Sequence, residues 1–82
     1  MKAVVNIYLK EGVLDPQGKA VHHALDSLGF DSVEDVRVGK QIVLELKSQT
    51  IDEAFEEVAK MSETLLANTV IEDYTIEIEE QE

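Results

Sequence analysis

The sequence contains no cysteine, no tryptophan and a single proline, and its seven lysines and arginines face eighteen aspartates and glutamates. Without cysteine there is no disulfide, thiolate metal site, iron–sulfur cluster or cysteine nucleophile. No apolar run approaches the roughly 18 residues of a membrane span. The opening MKAVVNIYLKEG alternates polar and apolar residues, so it reads as a strand and not as a signal peptide. The net charge is −11, and it is unevenly placed. Residues 1–44 hold five Lys/Arg and six Asp/Glu, whereas residues 45–82 hold two and twelve. Such a field repels phosphate backbones and anionic lipid, so neither nucleic acid nor a membrane surface is an expected partner. No G-x-S-x-G, no phosphate-binding G-x-x-x-x-G-K-S/T and no Gly-rich fingerprint occurs, and no catalytic residue or metal site is expected.

What remains is a chain of 82 residues, 44% of them apolar. That suits one cytoplasmic domain over 1–82 whose small core benefits from self-association. From Ala3 to Leu9 the residues alternate, with Ala3, Val5, Ile7 and Leu9 on one side and Val4, Asn6 and Tyr8 on the other. Glu11 to Leu14 then connects to a helix. Asp15 is a good N-cap, Pro16 suits the first helical position, and Val21, Ala24, Leu25 and Leu28 recur at helical spacing. Gly29 supplies the left-handed stop, with Phe30 placed to fold back on Leu25. Val33, Val36 and Val38 suggest a second strand, and Gly39-Lys40 a two-residue hairpin turn. A third strand carries Ile42, Leu44 and Leu46 on one side and Val43 and Glu45 on the other.

Thr50-Ile51-Asp52-Glu53 fits a capping box. Behind it Ile51, Ala54, Phe55, Val58, Met61 and Leu65 form an apolar helical stripe, with Asn68 as the stop. Tyr74 to Ile78 alternate again, and Glu79 to Glu82 are expected to trail into water. The order strand, helix, strand, strand, helix, strand predicts an α+β fold. It is the ferredoxin-like βαββαβ two-layer sandwich, a four-stranded antiparallel sheet with both helices on one face. In that topology the first and third strands are central, and their outward Val4, Tyr8 and Val43 form an apolar cluster suited to a second copy of the chain.

His22 and His23 point about 100° apart on a helix and cannot easily chelate one ion, and His22 with Asp26 supplies only two ligands. Two segments stay unexplained. In DPQG, a capped helix start accounts for Asp15 and Pro16 but not for Gly18, which costs the helix about 1 kcal/mol against alanine. A bare position there lets another backbone or an anionic group approach the free amides. In VRVGK, the turn accounts for Gly39 and leaves Arg37 and Lys40, two of only seven basic residues.

LDPQG at the first helix, VRVGK at the hairpin and LLANTVIEDY before the last strand resemble the PurS family, small subunits of phosphoribosylformylglycinamidine synthase. The resemblance runs nearly end to end. It implies a non-catalytic member of a purine biosynthesis complex, without a cofactor of its own; ATP and Mg would sit in the synthase subunit. The chain would bridge a large PurL-like synthase subunit and a PurQ-like glutaminase subunit, for assembly and ammonia transfer, as a homodimer or higher homo-oligomer. Asp15, Pro16, Gln17 and Gly18 would then form a docking edge, and Arg37, Gly39 and Lys40 a second contact region. The alternative from another class is an ACT-like regulatory module that binds a small molecule in the loop between its first strand and helix. An acylphosphatase on the same fold would need a phosphate-cradling loop that is missing.

Overall fold

A computed structural model describes residues 1–80. The expected trailing of Glu79 to Glu82 lies outside the described residues from Gln81 onward. The elements are β1 (Lys2–Leu9), α1 (Pro16–Ser27), β2 (Lys40–Glu45), α2 (Ile51–Met61), a π-helical turn (Ser62–Leu66) and β3 (Glu72–Glu79). The strands form one antiparallel sheet in the order β2-β1-β3. Alternation in β1 puts Ala3, Val5 and Ile7 inward, and all three are fully buried with Val58 of α2. Val5, Ile7 and Val58 each contribute about 1.5–3 kcal/mol by leaving water. Ile42, Leu44, Tyr74, Ile76 and Ile78 pack around them from the two outer strands.

Both helices begin, and α1 ends, for the reasons read from the sequence, whereas α2 gives way to the π-helical turn at Ser62, before the expected stop at Asn68. The Asp15 carboxylate accepts from Gly18 N at 2.8 Å, and Thr50 Oγ1 accepts from Glu53 N at 3.1 Å. At the end of α1, Gly29 takes φ +94°, its amide bonds Asp26 O, and Phe30 N bonds Leu25 O. That is the paired closure a left-handed glycine permits.

Two expectations fail. The sheet has three strands among the described residues, not four, and Gly39-Lys40 is not a hairpin turn. Residues 33–39 join no ladder and form no helix or turn, and Gly39 lacks a positive φ and leads directly into β2. The reason is competition for the segment's backbone. Asp15, Gly18 and His22 share one face of α1 by their spacing of three and four. Each meets the returning chain: Asp15 Oδ2 accepts from Val38 N at 2.8 Å, Gly18 faces Val36 O, and His22 Nε2 donates to Val33 O at 2.8 Å. The predicted second strand is thus fastened along the helix.

The expectation that both helices cover one sheet face also needs revision. α2 packs on the sheet, whereas α1 with its attached segment makes only grazing contact with it. The chain measures 49 × 31 × 14 Å with a radius of gyration of 16.2 Å, against about 12 Å for a compact domain of this length. Val21, Leu28 and Phe30 stand 43%, 73% and 57% exposed as a consequence.

Candidate functional site

The three segments singled out in the sequence converge at one end of the sheet. A cleft of about 310 Å³ is lined by the end of β1 (Ile7, Tyr8, Leu9), the start of α1 (Asp15, Pro16, Gln17), the approach to β2 (Val38, Gly39, Lys40) and Glu72. Sequence distance between these groups is large; the antiparallel pairing of β1 with both neighbours brings them together.

Asp15 organises the cleft. One carboxylate oxygen caps Gly18 N and the other holds Val38 N, each at 2.8 Å. These amides, the Val38 bond foremost, hold its carboxyl below the ordinary value of 3.8 despite the opposing effect of burial, and the Arg37 charge adds to the effect. It is therefore an anion at neutral pH, with each oxygen held by a backbone amide of the chain.

Gly39 is bare for a local reason, since a Cβ there would stand 2.7 Å from Ile7 O. Gly18 is explained in the same way. A methyl at that position would overlap the Val36 carbonyl oxygen, so the close backbone that requires glycine is the chain's own. Arg37 turns away from the cleft. Its guanidinium donates to Val13 O at 3.0 Å and Lys10 O at 3.3 Å and ties the connector after β1 to the segment before β2.

Of the seven residues expected to contact partners, Asp15, Pro16, Gln17, Gly39 and Lys40 therefore line one cleft, Gly18 lies behind it and Arg37 buttresses it. Pro16, Gln17 and Lys40 are exposed. Of the three residues assigned to self-association, Val4 and Val43 stand opposite each other in register. Val4 is only 7% exposed within the single chain, whereas Tyr8 and Val43 are open.

Glu72 was not anticipated. It lies in LLANTVIEDY, its Oε1 accepts from Asn68 N at 2.7 Å, and its Oε2 is 3.9 Å from Lys40 Nζ. It thereby joins the third segment to the second. The same turn is closed by Ile71 N and Glu72 N on Asn68 O and by Val70 N on Asn68 Oδ1. Among the described residues no group of three His, Asp or Glu side chains could hold a metal ion, and no helix is long and apolar enough to cross a membrane. The cleft offers shape, backbone groups and a polar rim, which suit binding.

Residues 2–80 match the family model described as PurS, phosphoribosylformylglycinamidine (FGAM) synthase. The chain is 51% identical over 81 residues to the phosphoribosylformylglycinamidine synthase subunit PurS of Bacillus subtilis, covering 96% of this chain and 93% of that one. Among solved structures it resembles PurS of Methanocaldococcus jannaschii, one of the subunits of formylglycinamide ribonucleotide amidotransferase in the purine biosynthetic pathway. There the TM-score is 0.90 at 43% identity, with 99% of this chain and 98% of that chain covered. A chain in the structure of PurLQS from Thermotoga maritima matches with a TM-score of 0.85 at 32% identity over 93% of each.

Proposed function

The chain belongs to the PurS family of phosphoribosylformylglycinamidine synthase subunits, and from that premise we propose that it bridges a PurL-like synthase subunit and a PurQ-like glutaminase subunit. The chain is the non-catalytic component of this purine-biosynthetic ligase. The glutaminase subunit releases ammonia from glutamine, and the synthase subunit consumes it with ATP and Mg in converting formylglycinamide ribonucleotide to the amidine. The chain holds the two together so that ammonia passes between them, and it does so in the cytoplasm. The ACT-like alternative gives way to family membership.

The observation that carries the bridging role is the convergence of Asp15-Pro16-Gln17, Val38-Gly39-Lys40 and Glu72 on one cleft. Pro16, Gln17 and Lys40 form its exposed rim and make the direct contacts. Asp15, Gly18, Arg37 and Gly39 shape it. A second copy of the chain covers apolar surface at Val43 on the outer sheet face, at Tyr8 where that face meets the cleft, and at Val21 of α1 with Leu28 and Phe30 just beyond it.

Reversing one charge and adding another at the rim tests the reading. Lys40→Glu and Gln17→Arg, both at exposed positions, are expected to weaken assembly with the two partner subunits about tenfold or more, with the circular dichroism spectrum unchanged. Undiminished assembly of the double variant, measured by sedimentation, would remove the cleft from the interface.

A further inference from the structure

The backbone at the end of β1 is left in an unusual state. On the β3 side, Lys10 N bonds Ile71 O, so residues 8, 6, 4 and 2 direct their amides and carbonyls toward β3, and Lys10 its amide. On the β2 side, Leu46 N bonds Met1 O, so residues 1, 3, 5 and 7 direct theirs toward β2, opposite 46, 44, 42 and 40. The next pair in this register is Leu9 with Val38. That pair is not made: β2 pairing stops at Ile7 with Lys40, and the Val38 amide goes to Asp15 Oδ2 at 2.8 Å. Leu9 N–H and C=O consequently face the cleft with no hydrogen-bond partner among the described residues, and Leu9 is half-buried in the cleft wall.

We infer that this ladder position receives a short extended segment of a partner subunit, whose backbone makes the two bonds that Val38 would have made to Leu9, an assignment that rests on the subunit reading above. The groups on offer dictate the occupant's chemistry. One donor and one acceptor at strand spacing, aimed the same way from a strand that is already paired on its other side, are completed by an extended peptide backbone. The rim supports a hetero-subunit over a second copy. Gln17, Lys40 and Glu72 are polar, as in contacts between separately folded partners, whereas the chain's most exposed large apolar residues, Leu28, Leu65 and Val70, line no part of the cleft. Asp15 holds the position open by keeping Val38 on the helix side. Gly39, with no Cβ, lets the approach to β2 pass close to Ile7 O without filling the space beside Leu9.

Site-resolved amide exchange tests the assignment, with the full chain alone and in complex with PurL-like and PurQ-like subunits. Tyr8 and Lys10, whose amides are directed to β3, are the internal references. The Leu9 amide should exchange fast relative to both in the chain alone and slow by about tenfold or more in the complex, while Tyr8 and Lys10 change little. If the complex forms and Leu9 exchanges as before, the assignment is overturned and the subunit reading stands. If no complex forms, both fall. If Leu9 is already slow in the chain alone and becomes slower with chain concentration, a second copy fills the position and the hetero-subunit assignment is wrong.

Discussion

A methyl group at position 18 should destabilise this protein even though it improves the helix. Alanine is favoured over glycine within a helix by about 1 kcal/mol, so propensity alone predicts a gain from Gly18→Ala. The surroundings oppose it. The new Cβ would overlap Val36 O and would lie 3.0 Å from both Cγ and Oδ2 of Asp15. Neither neighbour is the loose end of a flexible side chain. Val36 O is backbone, held between the Val33 and Val38 ties to α1, and the Asp15 carboxylate is fixed by two amides. Forcing an extra carbon into a well-packed site costs about 1–3 kcal/mol; an overlap with fixed backbone takes the upper part of that range, about 2–3 kcal/mol, of which propensity returns about 1. The expected net loss is about 1–2 kcal/mol, or about 4–8 °C in Tm per kcal/mol for a chain of this size. Denaturant unfolding at fixed chain concentration measures it, with the slope m unchanged. A variant as stable as the parent, or more so, would refute the packing of residues 33–38 along α1. One consequence concerns any docking test at this position. Gly18→Leu would disturb the cleft from behind, so lost assembly in that variant would not identify a partner contact.

The same geometry sets the remaining expectations. Asp15 has a lowered pKa in the folded chain, so its contribution is fully present above 3.8 and is lost as pH falls through the folded value. Asp15→Asn keeps the cap on Gly18 and loses the acceptor for Val38; it should flatten the acid limb of the stability curve, and an unchanged limb in acid titration would contradict the assignment. Tyr74 donates to Glu63 Oε1 at 2.8 Å and its pKa is raised, chiefly by that bond. Its contribution is present below 10 and lost as pH rises through the folded value, which ultraviolet titration of Glu63→Gln should show as a downward return of the phenol. Arg37→Ala removes two bonds to Lys10 O and Val13 O. At about 0.5–1.5 kcal/mol for a net bond, it should accelerate amide exchange across residues 10–14 and leave β1 protected. Val58→Ala empties a fully buried site against Ala3, Val5 and Ile7; a loss of about 2 kcal/mol is expected from large-to-small core changes, read by thermal unfolding.

Local signals in the sequence were followed wherever one element could decide its own fate. Alternation placed β1 and β3, Asp15 and Thr50 started their helices, and Gly29 ended the first one. The failures came where one backbone had two suitors. Val33, Val36 and Val38 carry strand residues, yet the Asp15 carboxylate takes Val38 N and the gap at Gly18 admits Val36, so the segment binds α1 instead of a strand. Gly39 looked like a turn because turns and close backbone approaches both select glycine. In the candidate site, Asp15, Pro16, Gln17, Gly39 and Lys40 were legible as residues that helix and turn rules left partly idle. That they share one cleft was not, because the register between β1 and β2 brings them together. Glu72 carried no signal beyond its place in a recognisable segment; its role comes from reaching both Asn68 N and Lys40. Arg37 was read as a partner contact because basic residues are scarce here, and the structure gives it two carbonyls of its own chain.

The most direct test of the bridging role is amidotransferase activity reconstituted from purified PurL-like and PurQ-like subunits, with and without this chain, assayed in parallel with glutamine and with free ammonia. The chain should restore the glutamine-dependent reaction and leave the ammonia-dependent one nearly unchanged, since it joins two active sites and supplies neither. Equal glutamine-dependent rates with and without the chain, at concentrations where all three components assemble, would contradict that account.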